Sequence, residues 1–505
     1  MPAQLTTRAQ VNGYRFLLRR LDHALVRRDV RMLHDPMRSQ TRSLIAGAVL
    51  GLLVVAGCAI LAFLRPQGAI GNAKIVMGKD SGAVYVLVPD AKGEKVLHPA
   101  LNLASARLIT GSNETPTSVK DAKLGSMPRG PILGIPGAPA ALPGSKQGDR
   151  SDWTLCDQVR LSDSGSAAGA TQVATTVLAG QPRLSERMRV ADKDAALLVK
   201  RNDKTYLIYG GQRAEVDPQN TVMARTLGLT AHPARPVSTG LIDVATEVPA
   251  LTPPTIARAG EPGPGRLSSV PIGGVIRVAS LDGSDRSELY VVLADGVQRI
   301  SPFTAQVIRF ANAQGMSDVK AMPPDVLDGV QPVHELPVDR FPDAVPKILS
   351  ADDAPVACLA WSKAPGNAPG QRGDTTDAPS DRAGVTLLAG TRLPLADSEK
   401  PVTLTTATGT GEHVDAVYIP PASGEFVQAT GVATGSQRRD ALFYIADNGV
   451  RYGVPDLGTA EVLGLGRAPK LAPWEIVGQL VPGPTLSKDN ALTSYDALPT
   501  GSGQH

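Results

Sequence analysis

Three cysteines, seven histidines and one glycine-lysine-serine fragment hold most of this chain's capacity for chemistry. Cys58 lies inside an uncharged apolar run, where a thiol behaves as a small apolar side chain. Cys156 and Cys358 remain. In an oxidising compartment two such thiols favour a disulfide, and two free buried thiols are the alternative. The cysteines and histidines show no zinc-ligand spacing, and histidines scattered singly are more often structural than ligating. A phosphate-binding loop needs two glycines and a Lys-Ser/Thr pair at a helix N-terminus. The nearest fragment, Gly78-Lys79-Asp80-Ser81-Gly82, lacks the leading glycine and puts Asp80 where a magnesium-binding hydroxyl belongs. Asp80 and Ser81 read more simply as turn residues. There is no G-x-S-x-G elbow, and scattered Ser, His and Asp make no triad without geometry. The reading therefore assigns no catalytic residue, no cofactor site and no metal site.

The element that decides where such groups would work is Leu44–Leu64, 21 residues without charge or proline. At a rise of about 1.5 Å per residue it spans roughly 30 Å, the hydrocarbon thickness of a bilayer. A cleaved signal peptide fits poorly, because the run is too long, sits too deep and ends without a small-residue cleavage site. Nine arginines precede it (Arg8, Arg15, Arg19, Arg20, Arg27, Arg28, Arg31, Arg38 and Arg42) against Asp22, Asp29 and Asp35. The following flank carries only Arg65, Lys74, Lys79 and Asp80, so the N-terminus is expected inside and residues 65–505 outside. Residues 1–42 carry +6 of the net +3, which leaves −3 for the remainder and disfavours nucleic acid as a partner. With 51 Gly, 42 Pro and 4 % aromatic residues, the outer part reads as turn-rich rather than as long helices. Its 441 residues, at a chain average of 42 % hydrophobic, suffice for two or more domains.

The inner head reads as an amphipathic helix. Val11, Tyr14, Leu17, Leu18, Leu21, Leu25 and Leu33 recur near helical spacing among arginines, and Pro36 is expected to end the helix. The arginines could lie on anionic headgroups, or the stripe could dock a partner subunit. A stripe continuous for several turns favours the partner, with Tyr14, Phe16, Leu17, Leu18, Arg19, Arg20, Leu21 and Leu25 as the docking residues.

The outer part carries an imperfect repeat. Tyr85–Val88, Tyr206–Tyr209, Tyr290–Leu293 and Phe443–Ile445 are apolar strands. Each leads through a Gly- or Asp/Asn-containing turn into a second strand, the signature of a β-hairpin. Helical-looking segments follow at Leu101–Leu108, Gln219–Leu227, Phe303–Ala313 and Thr459–Leu465. The first and last intervals are long and each holds one outer cysteine. This suggests two half-molecules, each built as repeat, core strands, repeat. Core strands are expected at Trp153–Val159, Thr175–Leu178, Val356–Trp361, Val385–Ala389 and Val402–Thr406. A Cys156–Cys358 bond would staple the halves, worth on the order of 4–5 kcal/mol if unstrained. Pro249–Gly265, Gly137–Arg150 and Ser362–Arg382 read as linkers or loose excursions.

The predicted fold class is α+β: one N-terminal transmembrane helix and an elongated outer region with a β-rich core and four hairpin-helix repeats. The divisions are a cytoplasmic helix (1–42), the span (43–64), repeat 1 (65–130), the core's first half (131–190) and repeat 2 (191–250). A linker (251–274), repeat 3 (275–345), the core's second half (346–435), repeat 4 (436–495) and a flexible tail (496–505) complete the chain. Glycan binding through exposed Tyr85, Tyr206, Tyr209, Tyr290 and Tyr444 is an alternative role for the repeats, weakened because tyrosines that alternate with core residues must in part be buried.

Seven segments resemble the EccB family, the single-pass membrane subunit of mycobacterial type VII (ESX) secretion machinery. They are Leu5–Arg20 (LTTRAQVNGYRFLLRR), Arg28–Pro36 (RDVRMLHDP), His98–Gly111 (HPALNLASARLITG), Met127–Pro139 (MPRGPILGIPGAP), Trp153–Asp157 (WTLCD), Arg451–Pro455 (RYGVP) and Leu480–Ser487 (LVPGPTLS). The resemblance runs nearly the whole length. It implies an inner-membrane complex with an EccC-type ATPase, EccD and EccE, self-association into a higher oligomer, and a mycosin protease on the periplasmic side. It also implies a periplasmic core flanked by four repeats, whose cysteine pair corresponds to Cys156 and Cys358. The family often carries an ATPase label, so an ATP-hydrolysing component is the competing reading, although no Walker A motif is visible.

Overall fold

The computed structural model describes residues 7–28, 36–64, 70–167, 169–279, 287–363 and 383–497. Leu33, nearly all of the Ser362–Arg382 excursion and the tail from Pro499 lie outside the described residues. Helix α1 (Arg8–Arg27) opens with the Gln10 side chain accepting from the Thr7 N–H at 3.0 Å. It closes at Arg28, whose left-handed backbone (φ 56°) returns an N–H to the Ala24 carbonyl. Pro36 does not terminate this helix. It is the first residue of α2 (Pro36–Leu64), where a missing N–H leaves no bond unmade and a preset φ favours helix. Within α2, Thr41–Leu61 is long and apolar enough to cross a membrane, and its side chains are exposed throughout.

The remainder is a mixed α+β assembly with a β-rich core. Four of its sheets share one strand plan among the described residues. A three-stranded antiparallel meander is followed by a helix and then by a strand that returns parallel to the meander's first strand. In the first unit the meander is Ile75–Gly78, Val84–Pro89, Lys95–Pro99, the helix Leu103–Thr110 and the return strand Thr117–Val119. In the second they are Ala195–Arg201, Lys204–Tyr209, Gln212–Glu215, Thr221–Leu227 and Arg235–Pro236. In the third they are Val275–Ala279, Ser287–Val292, Val297–Ile300, Pro302–Ala311 and Lys320–Met322. In the fourth they are Gly424–Thr430, Leu442–Ala446, Val450–Val454, Leu457–Leu463 and Lys470–Pro473. Each helix starts on a polar cap, Asn102, Asn220, Ser301 or Asp456, whose side chain accepts a first-turn N–H. A short helical turn follows each return strand, and a last extended residue pairs parallel with the meander's third strand.

The hairpins expected from sequence are the second and third strands of these meanders. The first strands were missed; in the second and fourth units they are buried on both faces along most of their length and so lack the alternation of a half-exposed strand. Gly424–Thr430 shows the consequence. It falls in the segment assigned to the core's second half, yet it pairs in the fourth sheet, where a Cβ at Gly424 would collide with the Tyr444 ring.

The core is a seven-stranded sheet in the order Val402–Thr403, Ala416–Tyr418, Val173–Ala179, Ser151–Val159, Val356–Lys363, Gly384–Gly390, Met188–Val190. Its two central strands come from distant parts of the chain and lie antiparallel, with Trp153 opposite Trp361 and Cys156 opposite Cys358. One face (Trp153, Leu155, Leu359, Trp361) packs on the second and fourth units together. The other (Cys156, Val356, Cys358, Leu388) is covered by the loop carrying Leu393 and Leu395, with Tyr418 of a neighbouring strand packed beside it.

Packing pairs the units in a different order from their succession along the chain. The first unit shares a core with the fourth, and Arg107 caps the Leu463 carbonyl at 2.6 Å. The second shares one with the third, through Met223, Leu227, Phe303 and Val307. The supposed linkers are also pinned. Leu251 is buried between the second and third units, and Leu267 and Val270 are buried in the third. Gly137–Arg150 is held by hydrogen bonds from the Tyr452 and Tyr444 hydroxyls to the Gly137 and Pro143 carbonyls, both 3.1 Å. Buried apolar and aromatic contacts override the loop signal of glycine and proline.

Phe303 is fully buried and packs edge-on against Phe341 at 5.9 Å. Phe303→Ala is expected to cost about 3–5 kcal/mol, seen as a lowered thermal midpoint of the full chain. Leu25→Ala, at an exposed position of α1, should stay within about 0.5 kcal/mol. Equal midpoints for the two variants would contradict this packing.

Candidate functional site

Two places hold the residues singled out by sequence: the seam between the central strands, and the exposed stripe of α1. At the seam, Cys156 and Cys358 form a disulfide with S–S 2.04 Å and Cα–Cα 4.0 Å, across 202 residues of sequence. Antiparallel register alone brings the pair together, since Cys156 faces Cys358 in the ladder.

The next residue, Asp157, points to the opposite face and is fully buried. It accepts the Ser238 N–H at 2.6 Å and the Thr175 hydroxyl at 3.0 Å. Ser238 in turn caps the helix Thr239–Val244, so this one carboxylate ties the second unit to two core strands. Burial pushes the Asp157 carboxyl up to about 6, against the opposing pull of those hydrogen bonds and of Arg235. Arg235 is itself buried and donates to the Ala354 and Pro355 carbonyls, both at 2.8 Å, at the entry to the second central strand. Burial lowers its pKa to about 10, with Asp157 pulling the other way. Asp415 completes the network by accepting the N–H groups of Thr175, Thr408 and Gly409 at 2.7–2.8 Å. The bonds of Asp157 to Ser238, of Arg235 to Ala354 and Pro355, and of Asp415 to Thr175 run between segments distant in sequence, so the arrangement is a clamp. Sequence reasoning used Asp157 only as part of a motif. Its signal was a carboxylate directly after Cys156 in the middle of an expected core strand.

A second clamp holds the fourth unit. Glu425, 1 % exposed, accepts from Lys470 at 3.2 Å and from the Ser145 hydroxyl at 2.8 Å.

The α1 stripe has the opposite character. Tyr14, Phe16, Leu17, Leu18, Leu21 and Leu25 are all exposed, between 44 % and 78 %. Arg19 and Arg20 are exposed beside them.

The other residues considered for chemistry are accounted for. Gly78-Lys79-Asp80-Ser81-Gly82 is the turn joining the first two strands of the first unit. Gly82 N–H returns to Gly78 O, and Ser81 N–H goes to Asp121 at 3.0 Å. It opens into a strand and not into the helix N-terminus that a phosphate cradle requires. The tyrosines proposed for glycan stacking are not exposed. Tyr444 is fully buried, Tyr209 bonds the Arg340 carbonyl, Tyr290 bonds Glu288, and Tyr85 and Tyr206 are half-buried. Their partial or full burial weakens the reading of the repeats as stacking platforms. Among the described residues no cluster of three or more His, Cys, Asp or Glu could hold a metal ion.

Comparison with known proteins gives one family. A family model described as "Type VII secretion system ESX-1, transport TM domain B" matches residues 3–500. The "ESX-5 secretion system ATPase EccB5" of Mycobacterium tuberculosis (strain ATCC 25618 / H37Rv) is 36 % identical over 502 residues, covering 98 % of this chain and 94 % of that protein. A chain of an intact ESX-5 inner membrane complex (composite C3 model) superposes with a TM-score of 0.69 at 33 % identity, covering 99 % of this chain and 98 % of that one. A chain of the EccB3 dimer from the ESX-3 core complex gives a TM-score of 0.68 at 30 % identity, covering 83 % of this chain and all of that one.

Two outcomes test the seam. Cys358→Ser should lose on the order of 2–5 kcal/mol, with a lower thermal midpoint and faster proteolysis of the outer part but unchanged membrane extraction; an unchanged midpoint defeats the staple. Asp157 provides a pH test. Its folded value of about 6 lies above the ordinary value of about 3.9, so the folded chain binds this proton more tightly. The resulting stability is complete below about pH 4, declines as pH rises toward about 6 and is absent above it. Asp157→Asn removes this decline, so the gap in midpoint between variant and parent should change between about pH 4 and 6 and stay constant above 7. Parallel curves throughout would refute a raised carboxyl.

Proposed function

Because this chain belongs to the EccB family of type VII secretion membrane proteins, we propose that it is a structural subunit of an ESX inner-membrane complex. The observation that carries this is the match over residues 3–500 together with a superposition covering 99 % of the chain on a component of an intact ESX-5 inner membrane complex. Its candidate membrane helix agrees with a place in the inner membrane. The arginine excess before α2 supports an N-terminus in the cytoplasm and an outer part in the periplasm.

In this reading α2 anchors the subunit, and α1 lies on the cytoplasmic side, where Tyr14, Phe16, Leu17, Leu18, Arg19, Arg20, Leu21 and Leu25 dock a neighbour. The neighbours implied are an EccC-type ATPase, EccD and EccE. Self-association is supported by the EccB3 dimer to which the chain is similar. The periplasmic part holds the outer face of the complex together and offers a mycosin protease a docking surface. The shared strand plan supports reading the four units as copies of one repeat flanking a core that draws strands from both sides of the chain. With strand Gly424–Thr430 moved into the fourth repeat, the division proposed from sequence becomes one core between two pairs of repeats, first with fourth and second with third. Gly78–Gly82 is a hairpin turn, and the reading offered for this chain is a geometric role in the assembly.

The test is extraction in mild detergent followed by native sizing and mass spectrometry of co-migrating proteins. A large assembly with an ATPase subunit and a multispanning subunit is expected. Leu17→Asp combined with Leu21→Asp should release the chain from that assembly while leaving it in the membrane. Undiminished co-purification of the double variant would overturn docking through α1, and a lone monomer or dimer of the parent would overturn the subunit role.

A further inference from the structure

The disulfide-bearing face of the central sheet is not sealed. Beside the Cys156–Cys358 bond, the covering loops leave a recess of about 250 Å³ whose floor includes Thr154 and Leu178. This is below the roughly 300–1,000 Å³ of sites for drug-sized molecules. Its walls come from the segment before the first central strand and from the loops at Arg183 and Glu399.

The polar groups in it divide into those already engaged and those left over. Asp152 is 1 % exposed and both its oxygens are taken by Arg150, at 2.8 and 2.9 Å. Glu399 accepts the Ala396 N–H at 2.9 Å and the Tyr418 hydroxyl. Lys146 donates to the Pro421 carbonyl. Three groups remain. Thr154 is 1 % exposed, and its hydroxyl is buried without a hydrogen-bond partner. The Gln147 side-chain amide has its oxygen on the Asp152 N–H at 2.8 Å, which turns its Nε2 inward, buried and unpartnered. Arg183 lies near the Tyr418 hydroxyl and has no ion pair among the described residues.

Buried polar atoms are nearly always paired, and an orphan costs about 1–3 kcal/mol. Here two residues with orphaned polar atoms line one recess together with the exposed Arg183, which has no ion pair among the described residues. Amide NH₂, hydroxyl and guanidinium can all donate, while the recess's own carboxylates are already occupied. Water would satisfy the orphans, and a planar two-oxygen anion would in addition meet the guanidinium fork of the exposed Arg183 in a bidentate fashion. We propose that this recess binds a carboxylate, supplied either by a small free acid or by the C-terminal end of a peptide chain, with Arg183 taking the charge and Thr154 and Gln147 the remaining lone pairs.

The experiment is calorimetric titration of the full chain in detergent with acetate, with trialanine and with trialanine amide, using sulfate as the control anion. Saturable binding of acetate or free-acid trialanine is expected, with none for the amide or sulfate. Trialanine at least about tenfold tighter than acetate assigns the chain-terminus source, and acetate alone assigns the small acid. Arg183→Gln, at an exposed position, should weaken binding by about tenfold or more. Thr154→Val should also weaken it, yet leave the ligand-free thermal midpoint unchanged or raised, because a methyl replaces an unpartnered buried hydroxyl. No saturable heat from either carboxylate, equal binding of sulfate, unchanged affinity in both variants, or a lowered midpoint for Thr154→Val would each overturn the proposal.

Discussion

The outer part depends on one contact, the antiparallel pairing of Ser151–Val159 with Val356–Lys363. These strands close a loop of about two hundred residues, within which the second and third units must be complete. Loop-closure entropy grows only logarithmically with length, so the cost of bringing such distant strands together is modest beside what their burial contributes. The return is concentrated at the seam. Two tryptophans face each other on one side, a disulfide lies on the other, and nearly every residue of both strands is buried.

From that pairing the placement of the units follows. A small sheet with one helix has too little core to stand alone. The second and fourth units solve this by laying their sheets on the same face of the central sheet, and the first and third by packing helix against helix on the fourth and second. The polar residues buried at these junctions, Asp157 with Ser238, Arg235 with the Ala354 and Pro355 carbonyls, and Glu425 with the Ser145 hydroxyl, set position rather than chemistry. Each is satisfied by a segment far away in sequence, so a wrong docking would leave a buried charge exposed to its full desolvation cost. A subunit of this kind is suited to holding partners at defined positions around a membrane complex.

Much of this was legible in one dimension. The apolar span, the arginine-rich stripe before it and the strand-turn-strand-helix succession all rest on local periods, which a linear sequence carries in full. Doubly buried strands were invisible as repeat members, because Ala195–Arg201 or Gly424–Thr430 reads the same whether it joins one sheet or another. Pro249–Gly265 and Gly137–Arg150 read as loose because glycine and proline report turns, whereas the partners that pin them, Leu251's pocket and the Tyr444 and Tyr452 hydroxyls, lie elsewhere in the chain.

Sequence by itself determined the membrane segment, the family, the hairpins and the two cysteines that could meet, since each is a property of residue type and short spacing. Only the tertiary structure decided which unit packs on which, that Asp157 is a clamp, that the candidate stacking tyrosines are buried or half-buried, and that Thr154, Gln147 and Arg183 share one recess. Those facts depend on burial and on contacts between residues far apart in the chain, which no local pattern encodes.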